Sequence, residues 1–200
     1  TESEPRIHEL RVDATCAYRV YEVDHGNLEV TCHALARWEG DGGHAAPVIV
    51  SHMPLSSTGP ACLPMHVPWL VVSQTLADTL QDLRESLVEP ILCPGMLGVD
   101  FADYAKALSQ GGEIRVWSTR GQDGAECVAH LPNAVECGRS LPAACLHIRV
   151  PARFGLSVLD GVIAAIERRF PSLAGNDCLL VIAATPEVRT DVVISLLIVS

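Results

Sequence analysis

The stretch Pro-Gly-Met-Leu-Gly-Val-Asp-Phe-Ala-Asp-Tyr, residues 94–104, decides how this chain of 200 residues is interpreted. A proline and a glycine open it as a turn. Asp100 and Asp103 follow at the probable start of a helix. Acidic side chains are favoured there by the unpaired N–H groups and by the helix dipole. The sequence therefore predicts a short helix over 101–109, with both carboxylates on one exposed edge.

A longer helix is predicted just before this stretch, over 72–88. Leucines recur there at helical spacing, namely Leu76, Leu80, Leu83 and Leu87. Ser73 is the predicted N-cap. Pro90 and Pro94 are predicted to end the helix, because proline lacks a backbone N–H and clashes with the preceding turn.

Strands and helices alternate after the stretch. Strands are predicted over 113–119, 145–150, 178–184 and 192–199, and helices over 125–131 and 156–170. In the last helix, Val162, Ile163 and Ile166 lie on an apolar stripe and are expected to pack on the strands. The final two strands are continuously apolar, which indicates that both faces are covered. This order predicts an α/β fold, a mixed sheet with helices packed on it.

The first part of the chain reads as β-structure. Strands are expected over 6–15, 16–23, 28–38 and 47–51, and residues 24–27 have the composition of a hairpin turn. Four prolines between residues 53 and 68 mark an internal boundary. The predicted organisation is a β-rich N-terminal unit over 1–52, a Pro-rich connector over 53–71 and an α/β domain over 72–200.

Composition excludes several classes of partner. The formal net charge is −10, which argues against nucleic acid, and no charge-free apolar run is long enough to span a bilayer. No signal peptide is visible, so a cytoplasmic protein with reduced cysteines is expected. The eight cysteines include no Cys-x-x-Cys pair. His25, Cys32, His33 and His44 lack a fixed ligand spacing, so no metal and no cofactor is predicted.

The stretch at 94–104 resembles the loop that follows the central helix in the FtsZ/tubulin family. That loop reads Pro-Gly-Leu-Ile-Asn-Val-Asp-Phe-Ala-Asp-Val, and the C-terminal subdomain of the family follows it. The resemblance covers about residues 70–200 of this chain. It implies a C-terminal subdomain of the tubulin/FtsZ type, preceded here by the small β-rich unit.

The resemblance also implies roles for the loop residues. In FtsZ-like filaments the loop acids reach the nucleotide site of the next subunit and orient the attacking water. Asp100 and Asp103 occupy the two acidic positions, and Gly98 stands where the family has asparagine. The loss of that amide removes a water-positioning group, so no catalytic residue is predicted.

The family's Gly-rich phosphate loop, of the type Gly-Gly-Gly-Thr-Gly-Thr-Gly, does not occur in these residues. Residues 40–44, Gly-Asp-Gly-Gly-His, are the nearest candidate, but the aspartate would repel phosphate. No nucleotide site is therefore predicted.

These observations predict a non-GTPase protein that works through protein–protein contacts. The expected partner is a tubulin-like filament subunit or a second copy of the chain, in filament assembly or its regulation. Asp100, Asp103, Gly98 and Phe101 are the candidate interface residues. Three alternatives stay open: Asp100 and Asp103 serve the helix structurally, the chain is a small enzyme using these acids or Cys93, or the fold has an unrelated function.

Overall fold

The structure is a computed structural model, and eight strands build one mixed sheet in its described residues. These residues are 6–14, 17–24, 31–35, 45–52, 67–72, 75–93, 95–131, 141–151, 156–173, 178–187 and 190–200. The strands are β1 (Arg6–Arg11), β2 (Ala17–Val23), β3 (Ala45–Ser51), β4 (Pro68–Val71), β5 (Gly112–Gly121), β6 (Ala143–Pro151), β7 (Leu179–Glu187) and β8 (Val192–Val199).

The order across the sheet is β1-β2-β3-β4-β5-β8-β6-β7. Strands β2 to β5 run parallel, and so do β6 and β7. Strand β8 is antiparallel to both of its neighbours, and β1 is antiparallel to β2. Every residue of β8 is buried, as its uninterrupted apolar sequence predicts for a strand covered on both faces. The α/β class and the mixed sheet with packed helices are confirmed.

Helices cover both faces of this sheet. The central helix α1 comprises Leu76–Leu83, a π-helical segment Arg84–Val88 and Glu89–Leu92. Three further helices are α2 (Phe101–Leu108), α3 (Gly124–His130) and α4 (Leu156–Arg169), and residues 31–35 are also helical. One core cluster packs α3 and α4 against β6 and β8, through residues such as Val162, Leu146 and Ile194. The other face is covered by α1 and α2.

The core under α1 and α2 joins the two ends of the chain. Val20 of β2 and Val48 of β3 belong to the same buried cluster as Leu83, Tyr104 and Leu197. The early strands therefore share both a sheet and a core with the later ones. The division into units 1–52, 53–71 and 72–200 stays a prediction.

The prediction of a β-hairpin around residues 24–27 is wrong. Its second strand was predicted over 28–38, but residues 31–35 are helical. Leu35 and Thr31 are fully buried there, and Leu35 packs with Tyr21 and Ile49. Strands β2 and β3 are parallel, and a parallel pair needs a crossover rather than a tight turn. Tertiary packing has overridden the β propensity of this segment.

The central helix differs from its prediction at both ends. It begins after Thr75, whose hydroxyl oxygen accepts the Asp78 N–H at 3.1 Å, whereas the predicted cap Ser73 lies outside the described residues. It runs through Pro90 to Leu92. The π segment explains how: the Glu89 N–H bonds the Arg84 carbonyl, five residues back, so the chain has already changed its hydrogen-bond register before Pro90.

Part of the predicted connector is a strand. Pro68–Val71 forms β4 between β3 and β5, with Pro68 as its first residue. A strand tolerates proline there, because few ladder hydrogen bonds are lost. Residues 53–66, with the other three prolines, lie outside the described residues.

Candidate functional site

The loop before α2 is fixed on β7. The Met96 N–H donates to the Ala184 carbonyl at 2.7 Å, and the Ala184 N–H donates to the Leu97 carbonyl at 3.3 Å. Leu97 and Ala184 thus form an isolated antiparallel bridge. A β-carbon on Gly95 would lie 2.8 Å from the Leu97 carbonyl oxygen and 2.9 Å from that of Ala184. Gly95 therefore permits this close approach.

Asp100 and Asp103 form a reciprocal capping box at the start of α2. The Asp103 N–H donates to Asp100 Oδ1 at 3.0 Å, and the Asp100 N–H donates to Asp103 Oδ2 at 3.2 Å. Each carboxylate thereby satisfies an N–H that the helix leaves unpaired. The structural role that the sequence indicated for both acids is present. Both residues are exposed, so each keeps one oxygen toward solvent.

The two other candidates differ in their surroundings. Gly98 is exposed, and a β-carbon there would meet nothing within 4 Å. Phe101 is partly buried, with its ring centroid 5.2 Å from that of Tyr18 on β2. Phe101 thus anchors the start of α2 to the sheet, whereas Gly98, Asp100 and Asp103 face outward.

Three exposed apolar side chains lie within a few residues of the acids in the sequence, and sequence reasoning missed them as a group. Leu92 is 50% exposed, Met96 37% and Leu97 36%. We call Leu92, Met96, Leu97, Gly98, Asp100 and Asp103 together the loop surface. The signal available in the sequence was the placement of large apolar residues directly around Pro94, where a turn cannot bury them.

A polar network that sequence reasoning also missed holds the base of this surface. His147 of β6 is 1% exposed; its Nδ1–H donates to the Glu85 carbonyl at 2.9 Å, and its Nε2 lies 2.8 Å from Thr185 Oγ1. Because Nδ1 faces a carbonyl, it must carry a proton. Thr185 follows Ala184, so the network reaches the strand position that holds the loop.

Two ion pairs fix the end of α1 from which the loop departs. Arg149 of β6 donates to Glu85 at 2.7 Å and to Glu89 at 3.5 Å. Burial opposes ionisation of Glu85, but hydrogen bonds from Gln81 and Arg149 outweigh it and lower its pKa. The end of α1 from which the loop departs is therefore held on β6.

A second charged cluster joins the first three strands. Glu22 of β2 is 9% exposed; its carboxylate lies 2.7 Å from His52 Nε2 and 3.3 Å from His8 Nε2, with Arg6 at 4.0 Å. Burial opposes ionisation of Glu22, but the hydrogen bonds from His52 and His8 outweigh it and lower its pKa. The cluster ties the edge strand β1 to β2 and β3.

The carboxyl ends of β2 and β3 are where a doubly wound sheet would bind a nucleotide. The sequence after β2, Asp-His-Gly-Asn-Leu-Glu at residues 24–29, has one glycine and two acids. This sequence differs from the Gly-rich segments whose backbone N–H groups cradle phosphate. Residues 25–30, and the Gly-rich candidate at 40–44, lie outside the described residues.

The described part of the chain contains no group of three or more His, Cys, Asp or Glu placed to hold a metal ion. His25 and His44 lie outside it. Cys127 is buried, and burial with nearby Glu126 and Asp123 raises its pKa to about 11. Cys93 is exposed beside the loop surface.

The chain matches solved structures of the FtsZ/tubulin fold. An FtsZ dimer of M. jannaschii matches with a TM-score of 0.65 and 19% identity, over 90% of this chain and 62% of that one. TubZ of Bacillus thuringiensis serovar israelensis, in GDP-form protofilaments, matches at 0.62 and 9%, over 90% and 62%. CetZ of Methanosaeta thermophila matches at 0.56 and 12%, over 90% and 59%.

These matches show an FtsZ/tubulin-like fold. They extend the likeness beyond residues 70–200, because 90% coverage must include part of residues 1–69. The chain spans less than two thirds of the length of each matched structure. No family model and no curated protein matches the sequence. No helix among the described residues is long and apolar enough to cross a membrane.

Proposed function

We propose that this chain is a non-GTPase protein of the cytoplasm that docks its loop surface on a subunit of an FtsZ/tubulin-like filament. The observation that carries the proposal is the loop surface itself, with two exposed carboxylates and three exposed apolar side chains held on a fixed backbone. A dimer and a protofilament are among the matched structures, which supports a role in filament assembly or its regulation.

The carboxylates suit a partner that offers donors or cations. Each uses one oxygen in the capping box, and both residues are exposed to solvent. Their geometry is set before binding, so little side-chain entropy is lost on docking. A hydrogen bond to a charged group contributes about 1.5–3 kcal/mol, more than one between neutral groups.

The apolar residues supply the part of an interface that excludes water. Among the described residues, Leu92, Met96 and Leu97 are three of the five exposed large hydrophobic side chains. Apolar residues clustered on one surface, with polar neighbours, are typical of protein–protein contact sites. The partner is therefore expected to bring an apolar depression flanked by basic or N–H groups.

The docking prediction is tested with paired substitutions. Asp100→Asn with Asp103→Asn keeps an oxygen acceptor at both capping positions but removes both charges. We expect the free energy of unfolding of this double variant to lie within about 1 kcal/mol of the wild-type value. We expect the variant to bind filaments at least about tenfold more weakly. Co-sedimentation with GTP-assembled FtsZ/tubulin-family filaments measures the binding.

Two controls make this comparison decisive. Asp160→Asn changes an exposed acid on α4, which covers the other face of the sheet, and should bind as wild type does. Asp100→Ala should lower stability by about 1 kcal/mol through loss of the cap. Unchanged binding by the double Asn variant would leave the acids with their capping role alone. Sedimentation of the chain without filaments identifies self-association as the competing outcome.

The second prediction is that the chain alone binds no GTP. The reason is the missing Gly-rich phosphate loop, together with the acids that follow β2. Calorimetry with GTP and Mg²⁺ should give no saturable heat at millimolar nucleotide. A micromolar dissociation constant would contradict the proposal, whatever the docking assay shows.

The enzyme alternative has less support than docking. Cys93 is exposed, but no side chain among the described residues hydrogen-bonds its thiol, and a nucleophilic cysteine needs an activating base or cation.

A further inference from the structure

The sheet opens between β4 and β5. The two strands pair at Pro68 with Gly112 and at Trp69 with Glu113, and no further pairing follows in the described residues. Beyond that point a cavity of about 270 Å³ separates them, with α1 across it. Its lining residues are Leu70, Val71, Thr79, Asp82, Glu113, Ile114, Arg115, Val116 and Trp117.

Of the two carboxylates that line this cavity, one has a cationic partner and the other has none among the described residues. Glu113 accepts from Arg115 at 2.9 Å and 3.4 Å, so this acid already has its counter-ion. Asp82 of α1 is half-buried, and within the described part of the chain no cation or hydrogen-bond donor pairs with it. Burial, and then the charges of Glu85 and Asp78, raise its pKa. The site thus holds one carboxylate that lacks a positive partner.

The wall beside Asp82 is apolar. Leu70, Ile114 and Val116 face the core cluster that α1 covers, and all three line the cavity. The main chain of β5 beyond Glu113 has no strand partner on this side among the described residues, so its carbonyl groups can accept further hydrogen bonds. A volume of about 270 Å³ lies just below the range of about 300–1,000 Å³ that is usual for small-molecule sites, so the cavity suits only a compact ligand.

We propose that this cavity binds a small organic cation, an amine with a short apolar body, and that Asp82 is its counter-ion. The ammonium group donates to the Asp82 carboxylate and to the open main chain of β5. The carbon body lies on Leu70, Ile114 and Val116. The volume restricts the ligand to a compact molecule rather than a folded partner.

The test compares phenylethylammonium with 2-phenylethanol, a neutral molecule of nearly the same shape. Calorimetry on the wild-type chain should show saturable binding of the cation, at least about tenfold tighter than that of the alcohol. Asp82→Asn should remove this preference. Asp160→Asn is the control, since Asp160 is an exposed acid on α4, on the other face of the sheet, and does not line the cavity.

Equal affinity for the two molecules would overturn the proposal, and this comparison requires no variant to fold. The absence of saturable binding at millimolar cation would overturn it as well. So would binding to Asp82→Asn as tight as to wild type, with the melting curve confirming that the variant is folded. The site is independent of the loop surface, so failure of the docking assay leaves this test intact.

Discussion

Two acids of the loop, Asp100 and Asp103, cap helix α2 and are also exposed to solvent. Asp100 and Asp103 were predictable from sequence, because acids three residues apart at a helix start have a local physical reason to be there. Their double use, capping the helix and facing solvent, is consistent with that prediction. Phe101 was not predictable in the same way, since its contact with Tyr18 of β2 joins residues far apart in the chain.

Gly95 and Gly98 provide a matched pair of substitutions. Gly95→Ala forces a β-carbon against two backbone carbonyls, so we expect the loop to leave Ala184 and stability to fall by about 1–3 kcal/mol. Gly98→Ala meets open space and should change stability by less than about 0.5 kcal/mol. Urea melts measure both, and hydrogen exchange of the Ala184 amide reports the loop bridge. Equal effects of the two variants would mean that the loop is not held as described.

At the scale of elements, periodicity placed most helices and strands correctly but missed one hydrogen-bond shift. Pro90 should end α1 on local grounds. Instead the π segment Arg84–Val88 changes the helical register ahead of the proline. The Glu85 carbonyl, near the start of that segment, accepts from the buried His147. A tertiary hydrogen bond of this kind leaves no mark in the local sequence.

The stripe of α4 gives a prediction at this scale. Ile166 is 1% exposed, whereas Ile163, which the sequence placed in the core beside it, is only partly buried. Ile166→Ala should destabilise the protein by about 2–5 kcal/mol, and Ile163→Ala by clearly less. Denaturant melts of the two variants measure the difference. A larger effect at Ile163 would mean that α4 is rotated relative to the sheet.

At the scale of the whole molecule, sequence reasoning identified the α/β class and the order of the later elements, but it did not show that the first strands join the same sheet. Short strands such as β4 carry little periodicity of their own, and proline-rich flanks hide them. Their place is fixed by partners distant in sequence, as when Ile49 of β3 pairs with Trp69 of β4. The one-sheet architecture therefore had to be seen in three dimensions.

The Glu22 cluster predicts how the stability of the molecule depends on pH. The folded-state pKa of Glu22 is lowered, so its contribution is present above the unfolded pKa and is lost as pH falls through the folded value. The stability difference between wild type and Glu22→Gln should therefore shrink as pH is lowered from about 5 to about 3. Urea melts across this range measure it. Glu167→Gln, an exposed change on α4, is the control, and a difference that grows on acidification would contradict the assignment.

The bridge between Leu97 and Ala184 has a consequence beyond the loop. Strand β7 is the edge of the sheet, and an edge strand offers its free main chain to other copies of the same protein. Leu97 occupies that main chain at Ala184, in the middle of the strand. By pairing with Ala184, the loop shortens the run of β7 main chain that could pair with the sheet edge of another molecule.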